Sequence, residues 1–188
     1  TFGFDNSVLM HVYKNLIPYK LEKHEVQRNL DLIGFEYDDK NWRIIPEIKS
    51  DEQNVEKVRL FINQNDLVNG FIAIAPGSVW NTKKYPSDYF EVIIKHFVDR
   101  KISIVLIGGE NDKSICEIIV SKFNDYVFNA AGIFSIVESI ELLKSTKLLL
   151  SNDSAPTHMG MCADTKVLTI YCSTVPDFGF YPYNSKSS

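Results

Sequence analysis

"LLLSNDSAPTHMG", residues 148–160, changes character at its middle. Three leucines run into Ser151-Asn152-Asp153-Ser154, and Pro156 and His158 follow. The apolar half reads as a buried strand. The second half reads as the start of a helix: Asp153 or Ser154 suits the N-cap, and Pro156 suits a first turn, where its missing N–H costs nothing. A buried strand that passes directly into a capped helix is half of a parallel α/β unit. The first-turn N–H groups then face the carboxyl edge of the sheet, an anion site built of backbone dipoles. His158 follows Ser154 by one helical turn and flanks the same mouth. Taken alone, a histidine there is more simply a packed or solvated residue.

Working outward, the same alternation begins at residue 71. "FIAIA" (71–75), "ISIVLIGG" (102–109), a short piece of "DYVFNAAG" (125–132), "KLLLSND" (147–153) and "KVLTIYC" (166–172) read as strands. Between them lie helices over 87–100, 112–123, 135–145 and 155–164, with Ser87 and the serine at 135 as candidate N-caps. The 87–100 helix buries Phe90, Ile93, Ile94 and Phe97 on one side and leaves His96 on the other. Strands that are apolar throughout and alternate with helices predict a Rossmann-like parallel sheet with helices on both faces. Before it, "KLEKHEVQRNLDLIGF" reads as a helix through Leu21, Val26, Leu30 and Ile33, stopped by Gly34. Residues 51–64 read as a second helix with Val55, Val58, Leu60 and Phe61 inward. Residues 1–20, including His11, show no clean period, and 37–50 reads as a polar connection. The expected organisation is residues 1–50 as a remnant of another lobe with its connection, 51–175 as the sheet domain, and 176–188 as a truncated tail. The opening Thr1-Phe2-Gly3-Phe4, without a methionine, adds to the expectation of a piece of a longer protein.

Chemistry is expected where the strands end, because open parallel sheets bind ligands beyond their carboxyl edge. The first strand is followed by "PGSVWNTKKYP", a turn of small residues, hydroxyls and two lysines that suits phosphate oxygens. It has neither the P-loop nor the G-x-G-x-x-G spacing, and alone it also reads as a plain loop with surface lysines. The second strand ends "IGGEND", where glycines admit a ligand close to the backbone. Glu110 or Asp112 can accept from ribose hydroxyls, or Asp112 can simply cap the next helix. The fifth ends "CSTVPDFGFYP", adding Ser173 and Thr174 to the same edge.

Composition excludes several classes. Of 188 residues, 45% are hydrophobic and 23% charged, so a packed core is expected and extended disorder is not. The net charge of −4 argues against a nucleic-acid partner. Three cysteines without CxxC spacing argue against structural zinc and a disulfide framework, and predict buried thiols in a reducing compartment. No apolar run is long enough to span a membrane. No carboxylate cluster has metal-ligand spacing, so no metal cofactor is expected.

"PGSVWNTKKYP", "VLIGG", "SNDSAPTHMG" and "STVPDFGF", in this order and spacing, resemble glycosyltransferase family 9, the ADP-heptose:lipopolysaccharide heptosyltransferases of GT-B architecture. The resemblance covers about residues 20 to 183, and Tyr85 stands where the family usually has tryptophan. It implies an inverting transferase whose C-terminal lobe, represented here, binds the nucleotide sugar. The N-terminal lobe would bind the lipopolysaccharide core acceptor and supply the catalytic base. By the same resemblance Ser78 and Thr82 meet a donor phosphate, and Lys83 contacts the diphosphate and offsets leaving-group charge. Asp112 meets the ribose, with Glu110 as rival, and Phe134 lines the adenine pocket. Asp153, Ser154 and Ala155 form the turn at the diphosphate and sugar, with His158 beside it. Lys83 and Asp153 are the expected catalytic residues. Since Asp153 would repel a diphosphate, a sugar hydroxyl, turn amides or Lys83 is its expected partner. His24 and Arg28 fall in the cleft or in lobe packing. The implied partners are ADP-heptose or a related nucleotide sugar and the lipopolysaccharide acceptor. The implied location is the cytoplasm, with the full-length protein at the inner face of the membrane. The alternatives are another GT-B nucleotide-sugar enzyme such as an epimerase, and a non-catalytic nucleotide-binding domain.

Overall fold

A computed structural model of the chain describes residues 1–123, 125–184 and 186–187. They form two compact units: Thr1–Ile45 with Val175–Tyr181, and Pro46–Thr174 with Pro182–Ser188.

In the first unit, strands β1 (Phe2–Phe4) and β2 (Asn15–Ile17) pair in parallel, Phe2 against Asn15 and Phe4 against Ile17. Residues 1–20 are therefore not wholly irregular. Each strand is three residues long, too short for a two-residue period to register in the sequence. Helix α1 (Glu25–Leu32) starts later than its apolar spacing suggested, because His24 caps it. The His24 Nδ1 accepts from the Val26 N–H at 3.2 Å, and Gln27 Oε1 accepts from the His24 N–H at 2.9 Å. Leu21 and Ile33 are exposed rather than inward, while Arg28 is 1% exposed. Burial of a guanidinium is tolerated only if its donors are met, and here all five N–H groups are. Nε donates to the Lys20 carbonyl, Nη1 to Tyr19 Oη and Glu25 Oε2, and Nη2 to the Leu21 and Phe178 carbonyls. The His24 Nε2 lies 3.0 Å from the Tyr181 carbonyl. Gly179, at φ +85°, is required where it stands: a Cβ there would meet the Lys23 carbonyl at 2.5 Å. Both His24 and Arg28 thus pack residues 175–181 onto α1 within this unit.

The second unit runs α2 (Glu52–Gln64), β3 (Phe71–Ala75), α3 (Ser87–Val98), β4 (Ile104–Leu106), α4 (Lys113–Ser121), β5 (Val127–Asn129), α5 (Ile136–Leu143), β6 (Thr146–Asn152), α6 (Ala155–Cys162) and β7 (Val167–Ile170). The five strands form one parallel sheet in the order β5-β4-β3-β6-β7, the predicted Rossmann-like arrangement. All five residues of β3 are buried because both faces are covered. Phe71, Ala73 and Ala75 pack with Val58, Leu142 and Leu143 on one face; Ile72 and Ile74 pack with Phe90, Ile94 and Ile119 on the other. Each large side chain so buried contributes about 1.5–3 kcal/mol. A Cβ on Gly160 would lie 2.6 Å from Val167 and 2.8 Å from Leu149, so its absence lets α6 lie directly on β6 and β7.

Several local expectations change. Ser87 is the first residue of α3, not its cap; Pro86 holds that position without a side-chain bond. Ser135 does cap α5, in a reciprocal pair with Glu138. Of the α2 positions read as inward, Val58 is buried, while Val55 and Leu60 are 41% and 46% exposed. One helical face narrower than the apolar pattern suffices to cover β3 on this side of the sheet. The thiols are not uniformly buried: Cys116 is, its pKa pushed up to about 12 by burial, whereas Cys172 is exposed.

Candidate functional site

The chain direction across the sheet reverses beside β3: the sequence moves outward through β4 to β5, then returns to β6 on the other side. Loops leaving β3 and β6 diverge at that point and open a crevice, the usual ligand position in such sheets. A cavity of about 560 Å³ lies there. The loop after β3 contributes Gly77, Ser78, Val79 and Lys84. The loop after β4 contributes Gly108 to Asp112, the turn into α5 contributes Phe134, and the start of α6 contributes Ser154, Ala155 and Pro156.

A buried asparagine joins two of these loops. Asn152, at 0% exposure, donates through Nδ2 to the Pro76 carbonyl at 2.9 Å and the Gly77 carbonyl at 3.1 Å. Its Oδ1 accepts from the Tyr85 N–H at 3.0 Å. The ends of the 76–85 loop are therefore fastened to the end of β6. The Asn152 carbonyl in turn accepts from the Ser151, Ser154 and Thr157 hydroxyls. Ser154 is the N-cap residue of α6, but its hydroxyl points back to that carbonyl and caps no helix N–H. The first-turn N–H groups of α6 are thus left without a side-chain cap beside the cavity.

Next to the cavity lies a charged cluster. Lys83 Nζ is 2.7 Å from Asp153 Oδ2, and the Thr174 hydroxyl donates to the same oxygen at 2.8 Å. Of the partners anticipated for Asp153, the lysine is the one it has, and its side chain is only 7% exposed. The Tyr171 hydroxyl is buried without a hydrogen-bond partner; burial and then the Asp153 charge push its pKa up to about 12. The Thr169 hydroxyl, which works weakly against that rise, is engaged with Thr157 at 3.2 Å.

His158 faces this cluster. Burial holds its imidazole below the ordinary value of 6.5; the Asp153 charge opposes the shift and Lys83 adds to it. A ring whose pKa is depressed by folding takes up its proton more readily when unfolded. The stability it contributes is complete above an unfolded pKa of about 6.5 and is lost as the pH falls below it. Titration of the His158 ring by NMR is expected to give a midpoint below 6.5; a midpoint at or above that value contradicts the burial described here.

The anticipated residues thus separate into groups. Ser78, Asp112, Phe134, Ser154 and Ala155 share the cavity; Lys83, Asp153 and His158 form the cluster beside it; Thr82 is exposed and belongs to neither. Asp112 stands at the N-cap of α4 but bonds backward, its Oδ2 accepting from the Gly109 N–H at 3.0 Å. Its carboxyl lies where a Cβ on Gly77 or Gly108 would go. Phe134 packs edge-on against Phe61 at 5.2 Å, with Lys57 Nζ 5.4 Å above its ring. Lys57 also bonds the Ile133 carbonyl and Glu138, which fixes this wall of the cavity. Asn152 and Lys57 were not singled out from the sequence. Among the described residues no three His, Cys, Asp or Glu side chains are grouped as a metal site, and no helix is long and apolar enough to cross a membrane.

The family model described as glycosyltransferase family 9 (heptosyltransferase) matches residues 2–188. Lipopolysaccharide heptosyltransferase 2 of Salmonella typhimurium is 23% identical over 112 residues, 57% of this chain and 32% of that protein. A solved glycosyl transferase of family 9 from Veillonella parvula superposes with a TM-score of 0.82 at 18% identity, covering 95% of this chain and 53% of its own. The Escherichia coli ADP-heptose lps heptosyltransferase II gives 0.75 at 21% identity, with 93% and 56% covered. The chain spans about half the length of these solved proteins and about a third of the curated relative.

Proposed function

The chain belongs to glycosyltransferase family 9, and from that premise we propose that it is the nucleotide-sugar-binding part of an enzyme transferring heptose from ADP-heptose to the lipopolysaccharide inner core. The observation that carries this reading is the cavity at the carboxyl edge of the sheet, where the β3 loop meets the uncapped start of α6. Backbone N–H groups and ammonium groups suit a diphosphate, and the Phe134 wall suits the nucleobase.

Transfer forms a bond from an acceptor hydroxyl to the anomeric carbon and breaks the bond to the diphosphate, which leaves with the electron pair. Negative charge grows on the diphosphate, and fixed positive groups aimed at it lower the barrier. Lys83, held in place by Asp153, is assigned that role, and Ser78 and the α6 amides bind the phosphates. Asp112 meets the ribose. Inversion requires the base that takes the acceptor proton to stand on the opposite face of the sugar, so it is assigned to the acceptor-binding part of the whole protein. That protein is assigned to the cytoplasm, at the inner face of the membrane where the acceptor lies.

Isothermal titration of the chain with ADP is expected to give saturable heat, and Lys83→Ala to weaken it about tenfold or more by leaving the Asp153 charge uncompensated beside the phosphates. No saturable heat, or full affinity in Lys83→Ala, refutes the proposal.

A further inference from the structure

Adjacent lysines in the β3 loop have different surroundings. Lys83 is paired with Asp153 at 2.7 Å, and that carboxylate is also satisfied by Thr174. Lys84 lines the cavity, is exposed, and has no ion pair or side-chain hydrogen bond among the described residues. We infer that Lys84 is a second cation that holds the donor's diphosphate in the bound state, beside the Lys83–Asp153 pair. The inference rests on the nucleotide-sugar reading above.

Charge balance leads to it. Lys83 and Asp153 sum to zero, so an approaching diphosphate meets a dipole there rather than a net charge. The other charged side chains lining the cavity are Glu110 and Asp112, both negative. Without Lys84 the cavity lining would be anionic, and it would repel the ligand it is proposed to take. Among the described residues Lys84 is the one cation among the charged side chains lining the cavity, and the Asp112 carboxyl lies against Gly77 of the same loop. A nucleoside diphosphate brings anionic phosphates for the former and ribose hydroxyl donors for the latter.

The backbone supports the placement. The Lys84 N–H donates to the Asn81 carbonyl at 3.2 Å, and the next N–H, of Tyr85, is held by buried Asn152. The stem of Lys84 therefore leaves a fixed point between β3 and β6. A mobile ammonium on a fixed stem binds phosphate as a point charge.

The test is calorimetric titration of the chain with ADP and with adenosine, comparing the unmodified protein with Lys84→Gln and Lys84→Arg at low and high salt. Lys84→Gln is expected to weaken ADP on the order of tenfold, to leave adenosine affinity unchanged, and to flatten the salt dependence; Lys84→Arg is expected to restore most of the affinity for ADP. ADP affinity unchanged in Lys84→Gln overturns the inference alone. Equal loss for ADP and adenosine also overturns it, since Lys84 would then only shape the loop. No ADP binding by the unmodified chain overturns the nucleotide-sugar reading and this inference with it.

Discussion

Arg28→Met lowers the stability of the first unit by about 2–3 kcal/mol, because it strands the acceptors of a buried guanidinium. Methionine fills much of the volume but donates nothing. It leaves the Lys20, Leu21 and Phe178 carbonyls, Tyr19 Oη and the Glu25 carboxylate without the donor they share. Arg28→Lys recovers little, because one ammonium with three donors cannot reach five separated acceptors. The two units need not unfold together, so a local probe is required. Trp42, 4% exposed and 5.0 Å from the His24 ring, reports this unit; Trp80, in the other, is exposed and can be replaced by phenylalanine. Urea unfolding followed by Trp42 fluorescence should show the loss. A change under about 1 kcal/mol would mean that water replaces the guanidinium without penalty, against the burial seen.

Asn152→Ala is the second large effect, about 3 kcal/mol, with loss of order in the loop that carries Ser78, Lys83 and Lys84. The alanine leaves the Pro76 and Gly77 carbonyls and the Tyr85 N–H unpaired at a site with 0% exposure. The effect is local in its signature. Hydrogen exchange should show the Tyr85 amide losing protection while β4 amides keep theirs, and ADP affinity should fall in parallel. Asn152→Asp is no rescue: it accepts from Tyr85 but cannot donate to the two carbonyls, and it sets a second carboxylate beside Asp153. A variant within about 1 kcal/mol of the parent, with the Tyr85 amide still protected, would rule out the fastening role.

The same residue shows what could and could not be read from sequence. The sheet was legible because its central strands β3 and β4 are buried on both faces, so their residues are apolar whatever their partners. Ser135 was legible as a cap because its partner, Glu138, is three residues away. Asn152 was not, because its partners stand 67, 75 and 76 residues earlier in the chain. Nothing in "SND" distinguishes an asparagine that ties two loops from one that faces water. Arg28 was equally opaque: its acceptors are mostly main-chain carbonyls, which every residue type supplies. Ser87 misled because a serine ahead of an apolar run usually caps a helix, and here Pro86 already occupied that position. The candidate site residues were named from strand ends and family resemblance together, while the pairing of Lys83, and the absence of a partner for Lys84 among the described residues, needed coordinates.

The division of the first unit between residues 1–45 and 175–181 has a consequence for synthesis. The ribosome delivers the two pieces far apart in time. Residues 46–174 emerge between them, which takes on the order of ten seconds at ordinary elongation rates. Until then Arg28 lacks the Phe178 carbonyl, His24 lacks the Tyr181 carbonyl, and the Glu25 N–H lacks the Gly179 carbonyl. The sheet unit has all its strands by residue 170 and can close first. Residues 1–45 therefore wait for residues 175–181 before their own unit can close.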